Sequence, residues 1–150
     1  MDRVLKALTW PAALFIAGTL LWYEQYKLAA NPGSVELFTT LATWLWIPSY
    51  EAPFRLSVAW AEITACVLVI NQPTRMYGAI GALALMSGAI FFHVVSPLGI
   101  DPYNDGGQLF KDACSVWVAA AFILVIYRVE LLALIRLVLG FAFGRAAQAR

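Results

Sequence analysis

The sequence predicts an all-α membrane protein, a bundle of four transmembrane helices with an outer amphipathic helix and a C-terminal interfacial helix. Three observations predict it. Apolar residues are 62% of the 150-residue chain and charged residues 13%, against roughly 45–50% and about 25% in soluble domains. Mean hydropathy is +0.76. Four apolar runs, each bounded by charged or turn-forming residues, hold most of that hydrophobicity. No soluble core of this size hides so much apolar surface, so a bilayer must cover it. The chain reads as one domain, and its formal charge of +1 gives no basis for a nucleic-acid partner.

The first span is expected over about residues 7–23, uncharged between Lys6 and Glu24, with Trp10 and Trp22 near its ends to suit the two headgroup zones. It is near the lower limit for crossing, where about 20 residues is typical. Pro11 falls in its first turns, where proline is tolerated. Glu24-Gln25-Tyr26-Lys27 follows without a small-x-small cleavage site, so the run reads as an uncleaved anchor and not a secretory signal. The second span covers about 54–70 and stops at Asn71-Gln72-Pro73. The third, 76–95, is the longest uncharged run and stays apolar until Pro97-Leu98-Gly99. The fourth, 111–127, is extended by Asp112 and Arg128, whose polar ends can snorkel.

Two further helices are expected not to cross. Residues 35–47 place Leu37, Phe38, Leu41 and Leu45 on one face and Glu36, Thr39, Thr40 and Thr43 away from it. Asn31-Pro32-Gly33-Ser34 opens this segment with Ser34 as N-cap, Pro48 closes it, and Trp44 and Trp46 suit an outer membrane surface. Residues 130–143 are apolar except for Arg136, but at 1.5 Å per residue they reach only about 21 Å. They are therefore placed as an interfacial helix on the cytoplasmic side. Seven basic residues (Arg3, Lys6, Arg75, Arg128, Arg136, Arg145, Arg150) fall in the N-terminus, the second connection and the C-terminus. Only Lys27, Arg55 and Lys111 fall on the other side. By the positive-inside rule both termini face the cytoplasm, and connections 24–54 and 96–110 face outward.

Glu62 is the residue that asks for a function. It stands in an apolar run bracketed by Arg55 and Asn71, where a carboxylate must be protonated, paired or facing a wet cavity. Ala59, Ala65 and Cys66 share its face, and small neighbours let helices approach closely. On the third helix Gly78, Ala82, Met86, Ala89 and His93 form a second stripe, ending in the chain's single histidine. Glu62 lies roughly 10 Å below Arg55 on a helical rise, and Lys27 ends the first helix on the same side. Spacing therefore permits Lys27, Glu62 and His93 to share one polar pocket in the outer half of the bundle.

Each residue also has a plainer reading. Glu62 serves equally as a helix-to-helix staple. His93 serves as an ordinary interfacial histidine, since haem ligation needs a second histidine from another subunit and Met86 is a poor axial partner. Lys27 pairs with Glu24 three residues before it as a modest surface ion pair. Asp101, Asp105 and Asp112 attract a cation or simply form a solvated acidic loop. Cys66 and Cys114 make neither a disulfide framework nor a metal quartet, so no metal is expected. Gly106-Gly107 marks a turn and not a nucleotide cradle.

Phe15-Ile16-Ala17-Gly18 through Lys27, then Glu62, Thr74-Arg75, Met86 and His93, resemble the DoxX family over about residues 12–127. Departures are Ile63-Thr64 in place of a small or glycine pair, a longer segment 31–52, and the apolar tail after Arg128. The resemblance implies a four-helix integral membrane protein associated with redox systems: quinol oxidation, thiosulfate-to-quinone electron transfer or oxidative-stress complexes. Lys27, Glu62, Arg75 and His93 map onto its motif positions. The expectation is a subunit of a redox system in the cytoplasmic membrane of a prokaryote, holding a quinone or similar lipid-soluble molecule. Glu62 would exchange protons as the catalytic group, and Lys27 or His93 would orient a quinone oxygen. No flavin motif is apparent, so electrons would come from a partner protein, and a homo-oligomer is compatible. The alternatives are a non-catalytic membrane scaffold and a small proton-coupled transporter.

Overall fold

A chain whose backbone polar groups must be satisfied inside a bilayer has few options, and this one takes the helical option throughout. A computed structural model describes residues 2–148, with side chains over 4–141, and no strand occurs among the described residues. The side chains of Arg3, Arg145 and Arg150, used above to orient the chain, lie outside the described residues. The helices are α1 (Asp2–Ala7), α2 (Trp10–Leu28), α3 (Pro32–Trp44), α4 (Glu51–Ile70), α5 (Arg75–Val95), α6 (Gln108–Ile126) and α7 (Arg128–Gln148). Short 3-10 turns, Pro48–Tyr50 and Gln72–Thr74, lead into α4 and α5.

Four stretches are long and apolar enough to cross a membrane: Val4–Leu28, Pro48–Ile70, Gln72–Val95 and Gln108–Ile126. They match the four expected spans, but the first runs five residues past Tyr23. The reason is charge pairing: Glu24 and Lys27 neutralise each other within the helix, so nothing forces the chain out at Glu24. The fourth begins at Gln108, three residues before Lys111, because the Asp105 carboxylate accepts from the Gly107 and Gln108 N–H groups, each at 3.0 Å.

α2, α4, α5 and α6 form an up-down-up-down bundle with neighbours in the ring order α2, α4, α5, α6. Its core is built largely from small residues, with Ala13, Ala17, Ala65, Ala79, Ala82 and Ala120 all buried. The stripe expected on α5 faces inward: Gly78, Ala82, Met86 and His93 are buried, as are Ala59, Glu62, Ala65 and Cys66 on α4. Contact is closest at Gly78, where an added Cβ would lie 2.2 Å from the Val69 backbone nitrogen. Only glycine lets α4 and α5 meet there.

α3 packs along the start of α4 through Phe38, whose ring meets Phe54 edge-on with centroids 5.3 Å apart. Its N-cap is Asn31, whose side chain accepts from Gly33 N at 3.1 Å; Ser34, the expected cap, is buried instead. Pro32 explains the shift, since proline favours the first helical position and sets its φ. The helix ends at Trp44, and Pro48 opens the following 3-10 turn in place of closing α3. Trp44 packs on Phe91 and Phe92, whereas Trp46 is 91% exposed. α7 follows α6 after the single residue Tyr127. Its 21 residues give about 31 Å at 1.5 Å per residue, longer than the expected 130–143. Val129, Leu132, Ile135, Val138 and Phe141 are exposed on it, and among the described residues its first turns reach the core through Leu131 and Leu134.

Candidate functional site

α2 and α5 finish at the same end of the bundle at which α4 and α6 begin, and polar side chains from all four converge there. Lys27, in the last turns of α2, donates through Nζ to Glu24 Oε1 at 2.8 Å and to Glu62 Oε2 at 2.6 Å. The three side chains are only 14%, 4% and 7% exposed, in that order. Arg55, two turns before Glu62 on the same face of α4, donates through Nη1 to the Lys27 carbonyl and through Nε to Glu51 Oε1 at 2.6 Å. The connected groups are three carboxylates and two cations, a formal charge of −1, so uptake of one proton makes the set neutral. Pairing of this kind is what permits charge at hydrocarbon depth. Glu24 Oε2 is buried and without a hydrogen-bond partner among the described residues.

A second polar set lies between α2 and α6. Tyr23 donates its hydroxyl to Asp112 Oδ2 at 2.6 Å, and the Gln108 amide donates to Asp112 Oδ1 at 2.8 Å. Both partners of this carboxylate are neutral. His93, 4% exposed at the end of α5, meets the Gly99 carbonyl through Nδ1 at 2.6 Å, with Phe110 edge-on to its ring. A carbonyl only accepts, so Nδ1 carries a proton, which leaves Nε2 as the ring atom that can meet another group. Outside the spans, Tyr103 donates to the Gly33 carbonyl at 3.1 Å, joining the 96–107 loop to α3. Burial, aided by the negative charge of Glu36 and Asp105, pushes the Tyr103 hydroxyl above its usual value and keeps it a donor.

Tyr23, Lys27, Glu62, His93, Gln108 and Asp112 among these groups line one cavity of about 800 Å³ among α2, α3, α4, α5 and α6. Lys27, Glu62 and His93, which spacing allowed to share a pocket, all stand on its wall, as do Asp112 and Asp105. Most of the remaining wall is apolar or aromatic, including Leu20, Phe38, Phe54, Met86 and Phe92. That combination of apolar wall and a few convergent polar groups is the usual make-up of a small-molecule site.

Arg75 is not brought to the cavity. At the opposite end of the bundle it is fully buried, donating to Val69 O at 2.9 Å, Ile70 O at 3.1 Å and Thr9 Oγ1 at 3.0 Å, and it lies 4.0 Å from the centre of the Trp10 ring. It caps the C-terminal carbonyls of α4 and ties them to the start of α2. Its task is structural.

Sequence reasoning missed three participants. Glu24 was expected in a surface pair and is buried beneath the Lys27–Glu62 contact. Arg55 was read as a boundary, although its spacing of seven residues from Glu62 marked it as sharing that face. Asp112 was read as a snorkelling end or part of a solvated loop, and it is held by Tyr23, a contact between residues 89 apart that no local pattern signals. Among the described residues no group of three or more His, Cys, Asp or Glu side chains is arranged to hold a metal ion. No protein-family model, curated protein or solved structure matches the chain.

Proposed function

We propose that the chain is a DoxX-like integral membrane subunit of a quinone-linked redox system, holding a quinone or similar lipid-soluble molecule in the cavity. The observation that carries this reading is the placement of Lys27, Glu62 and His93 on the wall of one apolar cavity of about 800 Å³. The volume falls within the range of roughly 300–1,000 Å³ for sites of drug-sized molecules. The residues fit the group. Two of the three ammonium protons of Lys27 are held by carboxylates, which leaves one to meet a quinone oxygen. His93 Nε2 accepts from a hydroxyl, and Glu62 passes a proton within the set of negative formal charge. When bound, the quinone supplies two-electron chemistry. Electrons enter or leave through a partner protein, and Arg55 and Glu51 fix the Lys27 segment through the backbone carbonyl.

In this reading the protein sits in the cytoplasmic membrane of a prokaryote with both termini in the cytoplasm. The cavity lies in the outer half of the bilayer, α3 on the outer surface and α7 on the cytoplasmic one. Gentle purification followed by extraction and titration tests it. Quinone is retained or bound, and Glu62→Gln lowers turnover of the intact complex without releasing the protein from it. If neither the protein nor its complex binds quinone, the reading fails.

A second reading, a scaffold for another membrane subunit, is favoured by α7, whose exposed apolar side chains fall on every side of the helix. It predicts a stoichiometric partner that is lost when residues 129–141 are made polar, while alanine at Glu62 and His93 is tolerated.

A further inference from the structure

We infer that the same cavity takes lipophilic organic cations. Within the helices its wall carries two carboxylates, Glu62 and Asp112, against one ammonium, Lys27, and the exposed Asp105 stands at its edge on the 96–107 loop. That ammonium is already shared between Glu62 and Glu24. Asp112 is held only by the neutral Tyr23 hydroxyl and Gln108 amide. Among the described residues neither Asp105 nor Asp112 has an ion-pair partner. A cavity between membrane helices is therefore left with an excess of negative charge, which a positively charged guest offsets and a neutral one does not.

Three other features narrow the guest. Seven aromatic side chains stand on the wall, the buried Phe38 and the half-buried Phe54 and Phe92 among them, and ring faces attract cations most strongly where water is excluded. His93, 4% exposed and on the same wall, has no partner for Nε2 among the described residues, and in its neutral form that atom accepts from a protonated amine. An inorganic ion is a poor match, because no three of the described ligating side chains converge and about 800 Å³ is far larger than a coordination sphere. Aromatic rings with a surplus of carboxylates are the recognition chemistry of a delocalised or bulky ammonium-type ion.

The inference goes beyond the quinone reading and does not depend on it, since it requires neither electron transfer nor a partner protein. The test uses the full chain in detergent and three probes of similar bulk: tetraphenylphosphonium, neutral triphenylphosphine oxide and anionic tetraphenylborate. Binding is read by equilibrium dialysis and by quenching of tryptophan fluorescence. The phosphonium binds saturably and at least about tenfold tighter than the neutral probe, as expected of a desolvated cation–π site, and the borate does not compete. Asp112→Asn weakens phosphonium binding at least about fivefold while circular dichroism and elution volume stay unchanged. Gly88→Leu is a second variant: Gly88 lines the cavity and an added Cβ there meets nothing within 4 Å, so leucine fills space without a backbone clash. It abolishes saturable binding and measures the background due to detergent.

Equal binding of phosphonium and phosphine oxide overturns the inference. So does phosphonium binding that is unchanged in both variants. A short-chain quinone titrated into the same preparation separates the two readings. Quinone binding without phosphonium binding sinks this inference alone, and the reverse result sinks the quinone reading alone.

Discussion

Replacing Lys27 with methionine keeps most of the side-chain volume and removes the single ammonium shared by Glu24 and Glu62. An exposed ion pair lost in this way costs about 0–1 kcal/mol. Removing one partner of a buried pair costs about 3–5 kcal/mol, because the other charge is stranded. Burial decides between the two. With the acid side chains 4% and 7% exposed and Nζ at 2.8 and 2.6 Å from them, Lys27 belongs to the buried class. Lys27→Met is therefore expected to destabilise the bundle by about 3 kcal/mol, the low end being chosen because a carboxylate can neutralise itself by taking up a proton. The assay is a reversible SDS titration of the detergent-solubilised protein, followed by circular dichroism and tryptophan fluorescence. Adding Glu24→Gln and Glu62→Gln to Lys27→Met removes the stranded charge and should restore at least half of the loss. A Lys27→Met protein within about 1 kcal/mol of wild type, or a triple variant no more stable than the single one, would refute the buried triad.

Three other expectations follow from the opposite end and the helix contacts. Gly78→Ala drives a methyl into the Val69 backbone and should destabilise by at least about 2–3 kcal/mol. By contrast Gly81→Ala, whose new Cβ would sit 3.5 Å from Ala65 Cβ, should be tolerated in the same titration. Arg75→Lys loses the fork that meets Val69, Ile70 and Thr9 together; a loss of about 2–3 kcal/mol is expected, with Thr9→Val giving a smaller one. The Lys6 ammonium, bonded to Glu130 at 2.5 Å, holds that carboxyl below its ordinary value of 4.5. A depressed carboxylate adds stability above its unfolded value and loses it as pH falls through the folded one. The α1–α7 contact should thus open as acidification passes through the lowered value of that carboxyl, read as a lengthening distance between spin labels at Leu5 and Leu132. Glu130→Gln should show the longer distance at every pH. Its 41% exposure keeps the energetic contribution of this pair below about 1 kcal/mol.

Four membrane-length helices were legible because hydrophobic length is a property of the chain itself. So were their inward faces, since Ala59–Glu62–Cys66 and Gly78–Ala82–Met86–His93 need only helical periodicity. Counting residues down each helix from the same end permitted Lys27, Glu62 and His93 to share a pocket without requiring it, and all three stand on the wall of one cavity. What spacing does not carry is which charges cancel. Glu24 was read as the edge of the membrane because a carboxylate usually is; its pair with Lys27 is local, but the contact of Lys27 with Glu62 across the bundle buries that pair and carries the helix beyond it. The Asn31 cap was displaced by a neighbouring proline, and the Tyr23–Asp112 bond joins helices distant in sequence. The Lys27–Glu62 and Tyr23–Asp112 contacts exist only once the bundle has formed.

The two ends of the bundle differ in kind. At one, Gly78 brings the α4 and α5 backbones together and Arg75 stitches three segments with a single side chain. At the other, the same helices stand around a space of about 800 Å³. Any spreading of α4 from α5 is therefore expected at the cavity end and not at Gly78, where the two backbones are already in contact.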